Sequence, residues 1–317
     1  MKLRITTQSE VKEYYGHGKL LITGEYFVLD GALALAVPTR LGQRLRVKEL
    51  HSTEGTLYWV SLNNQGKVWL NLVFDTADFS CINDKSPEAG RLSKILTEAR
   101  KLNPAFLTDK RDLAIETRLE FPNQWGLGSS STLIHCVATW AGVNGYELLQ
   151  QTIGGSGYDV ACAGIHTPIL YKLINGMPEV IKANWKPAFY QNIYFAYTGK
   201  KQLSTEGISY YRSNLKDKTQ VVNDLTRITQ LLLQAETLQS FEALLNEHET
   251  IVGGQLKMMK AKDTLFADFS GTVKSLGAWG GDFVLLTYTG EVAELRTYLQ
   301  QKGIDTVFSW EELILPS

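Results

Sequence analysis

The sequence predicts a globular protein of mixed helices and strands, arranged in two domains. Its length of 317 residues favours two domains over one, and 44% of the residues are hydrophobic, enough for sizeable cores. Strand patterns dominate the first part of the chain, whereas long helical patterns and a few strands follow residue 185. We therefore predict an N-terminal domain over residues 1–185 and a C-terminal domain over residues 186–317.

Several segments of the first part have the patterns of β-strands. Apolar stretches flank Asp30-Gly31, a dipeptide that suits a two-residue hairpin turn. The segment "LGQRLRVKEL" alternates apolar and polar positions, which is typical of a half-buried antiparallel strand. A second hairpin is predicted to turn at Asn63–Gly66, and "RDLAIETRLEF" alternates as a further strand.

The helices are predicted from capping residues and helical spacing. Ser86 is placed to cap a helix that has Pro87 at its first position. Residues 213–262 carry long helical patterns, with "NIYFAYT" as a strand before them and "GDFVLLTYTG" and "DTVFSW" as strands after them.

Charge and composition exclude several classes of partner. Lys and Arg number 32 and Asp and Glu 33, so a formal net charge of -1 gives no reason to expect nucleic acid or an anionic membrane. We find no apolar run of signal-peptide or membrane-spanning length, and we expect a cytoplasmic protein with a small-molecule partner. The three cysteines fit neither a disulfide framework nor a CxxC metal site, and Cys136 and Cys162 are predicted core residues.

The segment "GLGSSS" places Gly126, Leu127, Gly128 and the serines Ser129–Ser131 directly before an apolar helical run. A glycine-rich turn at a helix start offers free backbone N–H groups to a phosphate, and serine hydroxyls can ligate Mg²⁺. The alternative is a simple turn in which Ser129 or Ser130 caps the helix. Neither the GxxxxGK[ST] pattern nor the complete dinucleotide pattern is present.

Three further stretches hold residues that suit phosphate chemistry. Asp159 follows the glycine-rich turn of "GGSGYDVACAG" and could accept or orient a proton, although an aspartate there also complements a helix dipole. Lys19 opens an apolar strand and could neutralise a phosphoryl group, although such a lysine also marks the exposed edge of a strand. In "KSLGAWGGDFVLL" the glycines Gly277, Gly280 and Gly281 indicate a tight turn or close approach to a ligand.

The pair His248-Glu249 lies in a predicted helix and is a weaker candidate. A second histidine four residues on would complete a zinc motif, but the sequence has none there. We interpret the pair as helix residues that face the cleft or the other domain.

These four glycine-rich or lysine-bearing stretches, in this order, resemble the motifs of the GHMP kinases, the superfamily of galactokinase, homoserine kinase, mevalonate kinase and phosphomevalonate kinase. "GKLLITGEYFVLDG" is similar to the first motif, "GLGSSS" to the second and "LGAWGGDFV" to the third. The string from Gly157 to Ala161, "GYDVA", is similar to the one that names the GYDIA family of GHMP kinases. The resemblance extends from Gly16 to about Leu286.

The resemblance implies a two-domain α+β fold with ATP and substrate in the cleft between the domains. It implies that Asp159 is the base or orienting residue, that Lys19 supports it, and that Ser130 ligates Mg²⁺. It also implies that ATP phosphates are held by two glycine loops, which comprise Gly126, Leu127, Gly128, Ser129, Ser130, Ser131, Gly277, Gly280 and Gly281.

The sequence departs from the family pattern at two places. A glutamate that ligates Mg²⁺ is expected some ten residues before Asp159, where this chain has Leu148 to Gln151, so Glu147 is the nearest upstream acid. In the third motif Trp279 and Asp282 replace small residues, which would narrow the pocket or add a carboxylate beside it.

The resulting hypothesis is an ATP- and Mg²⁺-dependent small-molecule kinase, with mevalonate or a related alcohol as the first choice of acceptor. Three alternatives stay open: a phosphomevalonate kinase, a lyase similar to diphosphomevalonate decarboxylase, and a non-catalytic protein that binds nucleotide and metabolite. A homodimer is compatible with the sequence.

Overall fold

The computed structural model describes residues 11–199, 211–212, 218–277, 279 and 282–316. Its strands are β1 (Val11–Thr23), β2 (Ala34–Glu49), β3 (Thr56–Leu62), β4 (Val68–Asp75), β5 (Leu113–Leu119), β6 (Ile169–Ile174), β7 (Met177–Lys182), β8 (Ile193–Tyr197), β9 (Val273–Ser275), β10 (Phe283–Thr287) and β11 (Val307–Ser309). Its α-helices are α1 (Pro87–Leu102), α2 (Ser129–Ala141), α3 (Gly145–Thr152), α4 (Tyr158–Ala163), α5 (Thr219–Leu233), α6 (Leu238–Leu256), α7 (Ala261–Thr264), α8 (Val292–Gln301) and α9 (Trp310–Leu313). Short 3-10 helices cover Phe27–Asp30, Asn123–Trp125 and Tyr190–Asn192.

The chain forms two compact units, and each is assembled from separate stretches of sequence. The first unit consists of the chain up to Gly16, of Gly42–Pro122 and of Ser129–Gly164. The second consists of His17–Leu41, Asn123–Gly128 and the chain from Ile165 onward. The boundary predicted between residues 185 and 186 lies inside the second unit and stays a prediction about domains.

The first unit packs helices α1 to α4 against a sheet. Strand β3 pairs antiparallel with β4 and parallel with β5, and β5 pairs antiparallel with the second half of β2. The alternation predicted for β2 is present, because Leu45 and Val47 are buried while Arg44 and Arg46 point outward to Glu13. Helix α2 contacts α1, α3 and α4, so it lies at the centre of the helical layer.

The second unit contains an antiparallel sheet in the order β11-β8-β10-β9. The first half of β2 also belongs to this unit and pairs with β6, which forms a hairpin with β7. Helices α5 and α6 pack against each other, and their buried leucines and isoleucine join Phe27 and Trp279 in one apolar cluster.

Most predicted elements of the fold are confirmed. Ser86 caps α1 by accepting a hydrogen bond from the Ala89 N–H at 3.3 Å, and the hairpin at Asn63–Gly66 joins β3 and β4. Cys136 and Cys162 are buried, as predicted. The sequence patterns did not predict the β6–β7 hairpin.

The predicted hairpin turn at Asp30-Gly31 is wrong in its geometry. Strand β1 ends at Thr23, seven residues before Asp30, and Phe27–Asp30 forms a 3-10 helix. Gly24 begins the turn because it adopts a φ of +91°, and its carbonyl accepts a hydrogen bond from the Val28 N–H at 2.9 Å. Strands β1 and β2 still pair, so the connection is a longer one than two residues.

Within the residues that the structure describes, none of the helices combines the length and the apolar character that crossing a bilayer requires.

Candidate functional site

The glycine loop Gly126–Gly128 is bound to β1 through Lys19. The backbone N–H of Lys19 donates to the Leu127 carbonyl at 3.1 Å, and its ammonium nitrogen Nζ donates to the Gly126 carbonyl at 3.1 Å. Gly18 permits this approach, since a Cβ atom there would lie 2.6 Å from Thr39 Oγ1 and 3.2 Å from the Leu127 carbonyl oxygen. Lys19 is only 7% exposed, so the alternative of a lysine at an exposed strand edge does not hold.

The loop needs glycine for two separate reasons. Gly126 and Gly128 have φ values of +69° and +87°, which residues with a side chain rarely adopt. In addition, a Cβ on Gly126 would fall 2.4 Å from Oδ2 of Asp282, so only a glycine fits beside this carboxylate. Successive backbone N–H groups in such a loop form a concave surface that suits an anion.

An aromatic cluster holds the start of the loop. The Trp125 ring, directly before Gly126, lies 5.7 Å from the Phe283 ring and 5.5 Å from the Phe308 ring, both edge to face. Tyr197 completes the cluster at 6.1 Å from Trp125. Because Phe283 directly follows Asp282 in the chain, the cluster anchors both the glycine loop and the residue that faces it.

The helix that follows the loop begins where the sequence predicts it. Helix α2 starts at Ser129, with Ser130 exposed and Ser129 and Ser131 half-buried. The first backbone N–H groups of a helix have no partner within the helix and carry the positive end of its dipole. The Thr132 hydroxyl contacts Gln43 Oε1 at 2.7 Å and the Ser129 carbonyl at 2.9 Å, which fixes the first turn.

Asp159 and Glu147 lie on other helices of the first unit. Asp159 is half-buried in the first turn of α4, behind Gly157 with a φ of +92°. Glu147 is exposed in the first turn of α3. The start of α3 lies beside Ala138 of α2, because a Cβ on Gly145 would be 3.7 Å from the Ala138 Cβ. Along the axis of α2, the distance from Ser130 to Ala138 is about 12 Å at the usual rise per residue. Joint ligation of one Mg²⁺ by Ser130 and Glu147 stays a prediction that this placement disfavours.

The third motif is described only in part. Gly277 has a φ of +70°, as in a tight turn, and no atom of the described residues other than its chain neighbours lies within 4 Å of the position that its Cβ would take. The backbone N–H of Leu276 donates to the Phe283 carbonyl at 3.0 Å and closes the loop at its base. Gly280 and Gly281 lie outside the described residues, so their predicted contact with ATP stays a prediction.

A cluster of buried ionisable side chains lies in the second unit. Lys274 contacts the Glu25 carboxylate directly, and its Nζ lies 3.7 Å from Glu249 Oε1. His248 Nε2 lies 3.2 Å from Glu25 Oε2 and 3.1 Å from the Gly24 backbone N–H, which donates to it. All four side chains are at most 1% exposed. We call these residues, Glu25, His248, Glu249 and Lys274, the buried ionic cluster.

Burial controls the protonation of this cluster. It raises the pKa of Glu249 to about 7, against the opposing effect of the Lys274 charge, and it also raises the pKa of Glu25. Burial and the Lys274 charge together lower the pKa of His248 well below its ordinary value. The imidazole is therefore uncharged, which fits its role as acceptor of the Gly24 N–H.

Sequence patterns could not reveal the buried ionic cluster. Lys274 lies in the three-residue strand β9, Val273–Ser275, and the sequence around it has no apolar run that would mark the lysine as buried. Its partners Glu25 and Glu249 are 249 and 25 residues away in the chain, so no local spacing connects them. Among the described residues, no group of three or more His, Cys, Asp or Glu side chains is arranged to hold a metal ion.

Two histidines lie close together near the lysine. His17 is two residues before Lys19 on the same face of β1, because alternate side chains of a strand share a face. Its Nδ1 lies 3.1 Å from the Thr39 carbonyl, and its Nε2 lies 3.0 Å from Nδ1 of His166. We assign the proton of His17 to Nδ1 from these contacts, so His166 donates to His17. Neither histidine was a candidate in the sequence analysis.

Comparisons with known proteins identify the fold. No protein-family model and no curated protein sequence matches the chain. The crystal structure of Methanococcus jannaschii mevalonate kinase matches 98% of this chain and 100% of its own, with a TM-score of 0.72 and 18% identity. Lactococcus lactis galactokinase complexed with galactose matches 99% of this chain and 95% of its own, with a TM-score of 0.71 and 15% identity.

Streptococcus pneumoniae phosphomevalonate kinase, in complex with phosphomevalonate and AMPPNP, matches 94% of this chain and 99% of its own, with a TM-score of 0.69 and 15% identity. The chain has the GHMP kinase fold. This fold confirms the predicted mixed α+β class. The structural similarity extends over nearly the whole chain, although the sequence identities are low.

Proposed function

We propose that this protein is an ATP-dependent small-molecule kinase, and that its acceptor is mevalonate or a related alcohol. One observation carries the proposal: Lys19 holds the glycine loop by two hydrogen bonds, within a fold shared with kinases over 94% or more of the chain. The loop, the helix start behind it and a buried lysine together suit a triphosphate.

Bound ATP would supply the γ-phosphoryl group, with part of its charge neutralised by Mg²⁺. The residues of the chain then have separate tasks. Asp159 accepts the proton of the acceptor hydroxyl as the oxygen bonds to phosphorus and the bond to the β-phosphate oxygen breaks. Lys19 stabilises negative charge at the phosphoryl group, and the N–H groups at Gly126–Ser131 hold the phosphates.

The fit of a triphosphate to the loop is supported by the conformations of its glycines. Gly126 and Gly128 adopt positive φ values of +69° and +87°, a conformation found in loops whose successive backbone N–H groups bind an anion. Ser130 is exposed at the first turn of α2, where a hydroxyl can meet phosphate or metal. Ser130 as a metal ligand is therefore part of the proposal.

An assay of ADP release with mevalonate, phosphomevalonate, homoserine and simple sugars tests the proposal. We expect turnover with mevalonate or a close relative and no release of carbon dioxide. Lys19→Ala and Asp159→Ala should each lower turnover by at least about tenfold, the rate change that corresponds to 1.36 kcal/mol. Turnover within about threefold of the original protein in either variant would show that the assigned role is wrong.

A further inference from the structure

Two consecutive residues that follow β1 hold both sides of the turn after β9. Glu25 contacts Lys274, three residues before Gly277, within the buried ionic cluster. The Tyr26 hydroxyl accepts a hydrogen bond at 3.2 Å from the backbone N–H of Trp279, two residues after Gly277. The turn, here called the Gly277 turn, is therefore attached to one dipeptide at two points.

The side chain of Trp279 strengthens the second attachment. It is 1% exposed and belongs to the apolar cluster that Tyr26 and Phe27 share with α5 and α6. Its ring lies against Gly253 of α6, where a Cβ would come within 3.1 Å of two ring carbons. The large residue that departs from the family pattern therefore packs into the core of the second unit.

Both attachments oppose stability in part. Tyr26 has a φ of +60°, which a large side chain rarely adopts, although the residue is only 8% exposed. Backbone strain of this kind persists only where the surrounding structure holds it, and it is found mostly at functional sites. The contact between Lys274 and Glu25 has a cost of its own, because groups that ionise lose their hydration when they are buried, even as a pair. We attribute both features to the position of the turn that they hold.

We propose that Tyr26 and Trp279 are positioning residues for nucleotide binding, because they hold the Gly277 turn in one place. The inference rests on the proposed function, since it assumes that the third motif meets ATP. A turn that is already in place loses less conformational entropy when a phosphate binds to its backbone N–H groups. Its attachment to the residues after β1 therefore increases the affinity for ATP.

Two adjacent glycines of α6 supply a matched pair of variants. In Gly253→Ala the new methyl group would lie 3.1 Å from the Trp279 ring and 3.0 Å from the Met258 carbonyl oxygen, so the ring and its surroundings have to shift. In Gly254→Ala the methyl group meets open space among the described residues, and both changes raise the helix propensity alike. With ATP and MgCl₂, calorimetry on the full chain should show an affinity at least about fivefold lower for Gly253→Ala and unchanged for Gly254→Ala.

A second pair of variants removes single hydroxyl groups. Tyr26→Phe takes the acceptor from the Trp279 N–H and should also lower the affinity for ATP by at least about fivefold. Tyr298→Phe is the control, because the Tyr298 hydroxyl of α8 also makes a hydrogen bond, to Asp268 at 2.7 Å. Its affinity for ATP should equal that of the original protein.

Two more measurements separate positioning from a role in stability alone. Hydrogen exchange of the Trp279 amide, followed without ATP, should be faster in Gly253→Ala and Tyr26→Phe than in the original protein and both controls. Urea denaturation identifies the conditions in which every variant is folded, so that affinities are compared between folded proteins. A role in stability alone would lower the urea midpoint and leave the ATP affinity of the folded protein unchanged.

Three results would overturn the inference. An affinity for ATP within about twofold of the original in Gly253→Ala or in Tyr26→Phe would do so, as would an equal loss in a test variant and its control. Unchanged exchange of the Trp279 amide in both test variants would show that neither contact holds the turn. If the original protein bound no ATP, the proposed function would fail together with the role in nucleotide binding. Faster amide exchange in the two test variants would then still establish the attachment, so the two failures are distinct.

Discussion

The replacement Glu249→Gln should change the pH dependence of stability. Glu249 is 1% exposed and Lys274, the cation beside it, contacts the other carboxylate, that of Glu25, more closely. Among the described residues, Glu249 Oε1 has no hydrogen-bond partner. The carboxyl group therefore favours its protonated form in the folded protein, and a glutamine reproduces that uncharged form at every pH.

The size of the effect follows from the pKa. A rise of the Glu249 pKa from the ordinary 4.5 to about 7 corresponds to a contribution of about 3 kcal/mol to the free energy of unfolding. The folded state holds the proton more tightly than the unfolded state, so this contribution is fully present below pH 4.5 and is lost as the pH rises through about 7. The free energy of unfolding of the original protein, compared with that of Glu249→Gln, should fall by about 2 to 3 kcal/mol between pH 5 and pH 8.

The comparison isolates Glu249 because the other titrating groups of the cluster are present in both proteins. His248 has a lowered pKa, so its contribution to stability is lost as the pH falls below 6.5, the ordinary pKa of a histidine. This change with pH is opposite in direction to that of Glu249. The raised pKa of Glu25 acts in the same direction as that of Glu249. The pH profile of the original protein alone would mix these effects.

The assay is urea denaturation of both proteins at pH 5 and pH 8, with the free energy of unfolding as the readout. Glu236→Gln, at an exposed glutamate before α6, is the control and should show no pH-dependent difference. If the difference between the original protein and Glu249→Gln is the same at both pH values, the raised pKa and the burial argument are both refuted.

Two further predictions concern the loop and the core of the second unit. Gly126→Ala should lower ATP affinity at least about tenfold, because it adds a clash with the facing carboxylate to the strain of about 1 kcal/mol that a positive φ imposes. Gly303→Ala, with a φ of +74° and open space, imposes the strain alone and should leave ATP affinity unchanged, and equal affinities in the two variants would contradict the clash. Thr229→Val should destabilise the protein by about 1 to 3 kcal/mol in urea denaturation, since its buried hydroxyl contacts three oxygens at 2.8 to 2.9 Å. Thr250→Val removes an exposed hydroxyl from α6 and should cost less than about 1 kcal/mol, so a similar loss in both variants would exclude burial as the cause.

The fold was largely predictable because its elements carry local signals. The alternation of β2, the Ser86 cap and the β3–β4 turn each depend on residues close together in the chain, and all three are confirmed. The Asp30-Gly31 turn failed because two structures compete for that segment. Gly24 turns the chain earlier, and the residues after it form a 3-10 helix with its own hydrogen bonds.

The candidate site was predictable in part. Lys19 and the Gly126–Gly128 loop were singled out from sequence, and the structure brings them together by two hydrogen bonds. The roles of Asp159 and Ser130 stay predictions. Asp282 was noted only as a departure from the family pattern, because its approach to Gly126 joins positions 156 residues apart.

The sequence by itself determined the class of the fold, most strands and helices, and the position of the glycine loop before α2. These features follow from periodicity, capping and backbone freedom, which act over a few residues. Only the tertiary structure decided that Lys274 contacts the buried carboxyl group of Glu25, and that the carboxylate of Asp282 lies beside Gly126. Such contacts join distant parts of the chain, and their energies depend on burial, which no local pattern contains.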